Sequence, residues 1–258
     1  MLKQTLLAFT VLGFAGTAAA ADITNPFFLP EELHVASVTS FDYDHGHMKN
    51  DEGSAKVYAK TATEQLQFGI LNNLALIGSF EKDWTRTKED GVTNKDHNRL
   101  DWEAGLAWNI LHCNTKLQVS SVYGQEEPGR GRGTYKYIDT TAKLGYQFKT
   151  WLPYATFTVH TPVAQSKKFG HEDKWSYAGK VGVYQGKCGD WGLDTALVWA
   201  FDRTDTHART LTAEAEASYY LTKNVTLGVY GSYMLDGKAK YDTDIFDKTV
   251  GARLRLYF

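Results

Sequence analysis

Phe246-Asp247-Lys248-Thr249-Val250-Gly251-Ala252-Arg253-Leu254-Arg255-Leu256-Tyr257-Phe258 alternates almost without a break. Val250, Ala252, Leu254, Leu256 and Phe258 fall on one face, and Thr249, Gly251, Arg253, Arg255 and Tyr257 on the other. Successive side chains of a β-strand point to opposite faces, so this period of two predicts a strand with one apolar and one polar side. The pattern recurs upstream. Residues 100–110 set Leu100, Trp102, Ala104, Leu106, Trp108 and Ile110 against Asp101, Glu103 and Asn109. Residues 211–221 set Leu211, Ala213, Ala215, Ala217, Tyr219 and Leu221 against Glu214 and Glu216. About twelve such segments are predicted, at roughly 33–44, 59–71, 74–86, 98–111, 116–125, 135–149, 153–165, 174–185, 191–203, 209–222, 225–236 and 246–258. Within 74–86 Leu76 and Ile77 compete for the apolar face, and within 59–71 Glu64 falls on it.

The connections alternate in length. Asn72-Asn73 and Lys223-Asn224 are tight hairpin signals, and short turns also fall near 112–115, 150–152 and 186–190. Between them lie polar stretches near 45–58, 87–97, 126–134, 166–173, 204–208 and 237–245, which predict long loops at the opposite end. An even strand number with this alternation places both termini on the short-turn side.

The chain has 258 residues, 43% of them hydrophobic, and a mean hydropathy of −0.39. After the N-terminus no apolar run is long enough for a membrane-spanning helix. A net charge of −2 argues against a dedicated nucleic-acid binder. Lys3, the apolar stretch from Leu6 to Phe14 and the small residues around Ala18-Ala19-Ala20-Ala21 read as a secretory signal over 1–21, leaving 22–258 as one barrel domain. Asn25-Pro26-Phe27-Phe28-Leu29-Pro30 reads as a lead-in on the periplasmic side. Export permits a disulfide, and Cys113 and Cys188 both fall in short turns. Those turns are four strands apart, so a bridge requires them to fold across the mouth of a barrel.

The contents of the two faces point to lipid rather than to a shared soluble core. Glu103, Asp139, Lys143, Lys180, Asp194, Glu214, Glu216, Arg253 and Arg255 lie on the polar face. The apolar face gathers aromatics at both strand ends: Trp108, Phe148, Tyr219 and Phe258 at one, Tyr43, Trp102, Trp175, Tyr177, Trp199 and Tyr233 at the other. Two aromatic belts around an aliphatic band match the two interfaces of a bilayer. The expected fold is all-β, a closed antiparallel transmembrane barrel of about twelve strands with periplasmic termini.

Ala252-Arg253-Leu254-Arg255-Leu256-Tyr257-Phe258 resembles the terminal strand of bacterial outer-membrane β-barrels, which end in Phe with apolar residues at alternating positions before it. The resemblance implies an outer-membrane location and a barrel-assembly signal at Leu254, Leu256 and Phe258, read by the assembly machinery. Other implied partners are outer-membrane lipid, lipopolysaccharide and small polar solutes, with no nucleic acid and no cofactor. Two readings of the polar face stand. Its charges form a transverse field lining a passive pore, or a network that closes the lumen. Sugar-acid porins of similar strand number have basic interiors, whereas this one carries both signs.

Other candidate chemistry lies nearer the rim. Asp42-x-Asp44 and Asp205-x-His207 resemble the Asp pair and Asp/His pair with which omptin proteases activate water. His160 falls on the lumen face, beside Thr158 and Pro162, without the lipid-facing serine a phospholipase needs. His45 and His47 are too few for a closed metal site, and His97, His171 and His207 lie in other predicted loops. Arg130 and Arg132 suit contact with lipopolysaccharide phosphates. No enzyme activity is expected.

Overall fold

The computed structural model describes residues 22–50, 53–89, 92–128, 134–165, 175–202, 207–239 and 243–258. The alternating segments form β1 (Val35–Asn50), β2 (Gly53–Leu71), β3 (Leu74–Glu89), β4 (Val92–His112), β5 (Thr115–Pro128), β6 (Tyr135–Tyr146), β7 (Trp151–Gln165), β8 (Ser176–Lys187), β9 (Trp191–Phe201), β10 (Arg209–Thr222), β11 (Val225–Ala239) and β12 (Thr243–Tyr257). Each pairs antiparallel with its neighbours in sequence, and β1 pairs with β12 from Ala36↔Tyr257 to Lys49↔Asp244, closing the sheet. Closure leaves no unpaired edge, as a strand in lipid requires. Val35 and Phe258 exchange backbone hydrogen bonds of 2.9 and 2.8 Å, so the first strand begins and the last ends at the same rim, that of the short turns.

The strands outrun their predicted bounds at the other rim. The polar stretches 45–58, 87–97 and 237–245 were expected as loops, but the ladders continue to Asn50↔Gly53, Glu89↔Val92 and Ala239↔Thr243. Polarity there signals that both faces are wet, and it does not end a strand. A bilayer needs only about 9–11 tilted strand residues, whereas β4 has 21 and β2 has 19. The surplus projects beyond the membrane as two-sided polar hairpin.

The outer surface is the apolar one. Leu76, Leu106, Leu144, Val181, Leu197 and Val229 are exposed in its middle, and among the described residues no helix is long and apolar enough to cross a membrane. Trp108, Phe148, Trp151 and Tyr219 ring the short-turn end, and Tyr43, Trp84, Trp102, Trp175, Trp199 and Tyr233 ring the other. Leu76 takes the outward position while Ile77 lines the interior. Glu64 does face outward, where Thr39 Oγ1 on the adjacent strand donates it a 2.5 Å hydrogen bond.

Candidate functional site: a charged lumen and its N-terminal floor

The inward positions carry the chemistry. Glu216 on β10 receives Arg253 and Arg255 from β12, reaching across β11; Arg255 Nη2 is 2.5 Å from Glu216 Oε1, and Arg253 contacts the other oxygen. Lys180 on β8 pairs with Glu214 on β10 at 3.0 Å, and Tyr154 Oη on β7 donates to Asp194 on β9 at 2.8 Å. Glu103 accepts from Tyr137 Oη at 2.9 Å and Ser79 Oγ at 3.2 Å. Asp139 lies 2.6 Å from His160 Nδ1, whose Nε2 is 2.7 Å from the Tyr135 hydroxyl. Lys143 Nζ donates to the carbonyl of Pro26. The charged positions singled out on the polar face therefore all project inside the barrel, where most reach over an intervening strand to a partner.

A second constellation escaped the sequence reading. Arg99 lies among Asp101 (2.6 Å), Asp83 (3.3 Å), Glu81 (3.4 Å) and Glu126 (3.7 Å). One guanidinium serves several carboxylates, which leaves this part of the interior with surplus negative charge. Parity along the predicted segments 74–86 and 98–111 already set Glu81, Asp83, Arg99 and Asp101 on one face, and only Glu126 fell outside, in the stretch 126–134 expected as loop. Oxygens of Glu81, Asp83 and Asp101 lie within 4.8 Å of one another, a spacing a metal ion could use, but Arg99 already occupies the space between them.

The lead-in segment is a correction. Asp22–Pro30 turns into the short-turn mouth and docks on inward side chains around the wall. Asp22 Oδ1 accepts from Tyr184 Oη on β8 at 2.7 Å, Tyr220 Oη on β10 at 3.1 Å and Thr24 Oγ1 at 3.0 Å. Ile23 is buried against Ala36, Tyr220 and Tyr257, and the Phe28 ring meets Tyr257 edge-on at 5.6 Å. Phe27 is 5% exposed and packs with Leu152, Tyr154 and Tyr184. Its carbonyl accepts from Asn109 Nδ2 at 3.2 Å and Gln118 Nε2 at 3.4 Å. Asn25 Oδ1 accepts from the Phe27 amide at 2.9 Å, an Asx turn that bends the segment inward. Apolar residues at lumen parity near the short turns (Leu152, Tyr154, Tyr184, Tyr220, Tyr257) were the available signal. A purely polar lumen would not place them there.

The segment leaves the mouth across β2. Leu33, at φ 63°, reverses the chain, and its amide donates to Gly69 O at 2.9 Å while Gly69 N donates to His34 O at 2.9 Å. A Cβ on Gly69 would fall 1.9 Å from the Glu31 carbonyl oxygen, so only glycine admits this crossing. Above the segment lies a cavity of about 570 Å³, floored by Ile23, Thr24, Asn25, Pro26 and Phe28 and walled by Asp42, Glu81, Lys143, Lys180, Asp194, Glu216, Arg253 and Arg255. Asp42, Thr63, Glu81 and Arg253 also line a further cavity of about 570 Å³ toward the long-hairpin rim.

Among the described residues the rim candidates are not brought together. Asp42 and Asp44 face the lumen, where Asp44 Oδ1 accepts from Thr249 Oγ1 at 2.5 Å. His207 precedes β10, with β11 and β12 between it and β1, and Asp205 lies outside the described residues, as do His171, Arg130, Arg132 and the signal segment. His45 and His47 belong to β1 instead of a loop, and His45 stacks on Tyr58 at 4.9 Å. Cys113 and Cys188 are exposed in separate turns and are not joined, as four strand spacings along the wall require.

No protein-family model and no curated protein matches the sequence. Solved structures do. An outer-membrane channel from Pseudomonas putida F1 superposes with a TM-score of 0.69 at 12% identity, covering 91% of this chain and 98% of that one. The NanC porin gives 0.52 at 11% identity over 84% and 98%, and the translocator domain of the autotransporter NalP from Neisseria meningitidis gives 0.52 at 12% over 85% and 87%. A porin and a translocator score alike, so the likeness speaks to fold and not to cargo. This chain has the fold of bacterial outer-membrane β-barrels.

Proposed function

We propose that the protein is a passive pore for small polar solutes, shut on its periplasmic side by its own residues 22–30. The long hairpins face outward in this reading, and both termini lie in the periplasm. The observation that carries it is the pair of adjoining polar cavities running from the long-hairpin rim to a floor made of chain, not of barrel wall. Charges of both signs line the cavity above the floor, and carboxylates predominate in the one nearer the rim, so the whole path is wet. Peptide held by side-chain contacts can be displaced, whereas a wall cannot.

Planar-bilayer recording tests this. The mature protein is expected to show small or intermittent steps, and Phe27→Ala with Asp22→Ala larger and steadier ones. Burying a phenylalanine contributes about 1.5–3 kcal/mol, enough to shift the closed fraction substantially. If both proteins are silent while folded and heat-modifiable, the pore reading fails and a closed structural barrel replaces it.

A further inference from the structure

One sector of the outer wall breaks the apolar pattern. Pairing aligns Lys248, His45, Tyr58 and Arg86 in a row across β12, β1, β2 and β3. The row beneath is Val250, Tyr43, Lys60 and Trp84, and below that come Ala252, Phe41, Ala62 and Lys82. The row above ends in Lys56 and Lys88. Lys56, Lys60, Arg86, Lys88 and Lys248 are exposed, Lys82 is half-buried, and none of them forms an ion pair among the described residues. Toward the same rim, the outward faces of β7, β8 and β9 present Val159, Thr161, Val163, Tyr177, Trp199 and Phe201, with no cation. β7, β8 and β9 thus lack the cluster of cations gathered on β12, β1, β2 and β3.

Its height identifies the partner. Tyr43 and Trp84 belong to the outer aromatic belt, so Lys60 stands level with the bilayer interface and Lys82 below it can extend its ammonium upward along its own stem. Arg86 and Lys248 lie one step higher, three strand spacings apart, or about 14 Å. Unpaired cations at headgroup level, flanked by Phe41, Phe80 and Trp84 for acyl chains, complement a lipid whose head is a short sugar bearing separated phosphates. The geometry points to a binding site for the phosphorylated lipid A moiety of lipopolysaccharide on the outer face of β12–β1–β2–β3. The site rests on the orientation proposed above, and it assigns the lipopolysaccharide contact to the wall of the barrel in addition to any loop.

Native mass spectrometry of the detergent-solubilised mature barrel tests it, with bisphosphorylated lipid A, the same lipid stripped of phosphate, and inorganic phosphate as competitor. Wild type should retain the bisphosphorylated form over the stripped form, undisturbed by millimolar phosphate. Neutralising Lys60, Lys82, Arg86 and Lys248 together to glutamine should weaken retention about a hundredfold. Neutralising Lys136 and Arg209, on other parts of the outer wall, should change it little. Equal retention of both lipids by wild type overturns the site whether or not the variant folds, and so does equal loss in the two variants. Release by inorganic phosphate also overturns it, since an ion site would then suffice. The readout is binding in detergent, so its failure leaves the pore and its orientation to be judged by conductance alone.

Discussion

At the scale of the residue, Glu216 holds the most consequential position in the lumen. Arg253 and Arg255 both rest on it, with their side chains 26% and 12% exposed. Removing the carboxylate strands two guanidiniums, and uncompensated charge in a partly desolvated place costs about 1–3 kcal/mol. Glu216→Gln should lower the urea midpoint of unfolding from lipid and shift the reversal potential of the pore toward anions. An unchanged reversal potential would mean that solutes do not pass this pair. Cys188 reports on the floor. Burial, and after it the nearby Asp22 carboxylate, push its thiol above the usual cysteine range, so less reactive thiolate is present at a given pH. Asp22→Asn removes that negative charge and should move the maleimide labelling profile of Cys188 to lower pH; an unmoved profile would show that Asp22 is not beside it in solution. Which residues face inward was legible from parity alone. Their partners were not, because an ion pair that skips a strand depends on curvature, and a one-dimensional period carries none.

At the scale of the element, the sequence marked all twelve strands and misjudged the ends of several. Lys, Thr and Asn at 45–58 and 87–97 are poor at ending a strand when the partner strand continues, and the hairpin ladder overrode their loop-like polarity. Shortening the β1–β2 hairpin above Gly46↔Val57 should leave heat-modifiable migration intact, since those pairs stand beyond the bilayer; loss of the folded band would place them within it. The segment 22–30 was missed for a different reason. It has no period, and what holds it is a set of tyrosines scattered over several strands, which only closure brings to one mouth. Its exit depends on the absence of a side chain at Gly69. Gly69→Ala should dislodge the crossing, raising both the single-channel open fraction and the protease sensitivity of the N-terminus in folded protein. Protection equal to wild type would show that the crossing is not needed to hold the floor.

At the scale of the whole molecule, two features share one architecture: a polar interior stopped by chain at one end, and an outer wall whose apolar belt carries a cluster of cations over β12, β1, β2 and β3. Alternation explains why inside and outside can be specified independently, since every second residue belongs to the other surface. Strand number and closure were readable because each of these strands repeats the same binary choice. Sectors were not, since a sector is a row across strands, and rows exist only once the register is set. Glu64 shows the limit of the binary rule. It looked like an error of phase, yet it does face outward and is kept there by Thr39.

The floor is joined to β1 by only the few residues from Glu31 to His34. It therefore behaves as a tethered ligand, present at its own receptor at a local concentration of about millimolar however dilute the protein is. Rebinding is intramolecular, so occlusion should recover at a rate independent of how many barrels share the membrane. A free peptide of the same sequence, added to a barrel lacking it, would have to reach about that concentration to restore the block.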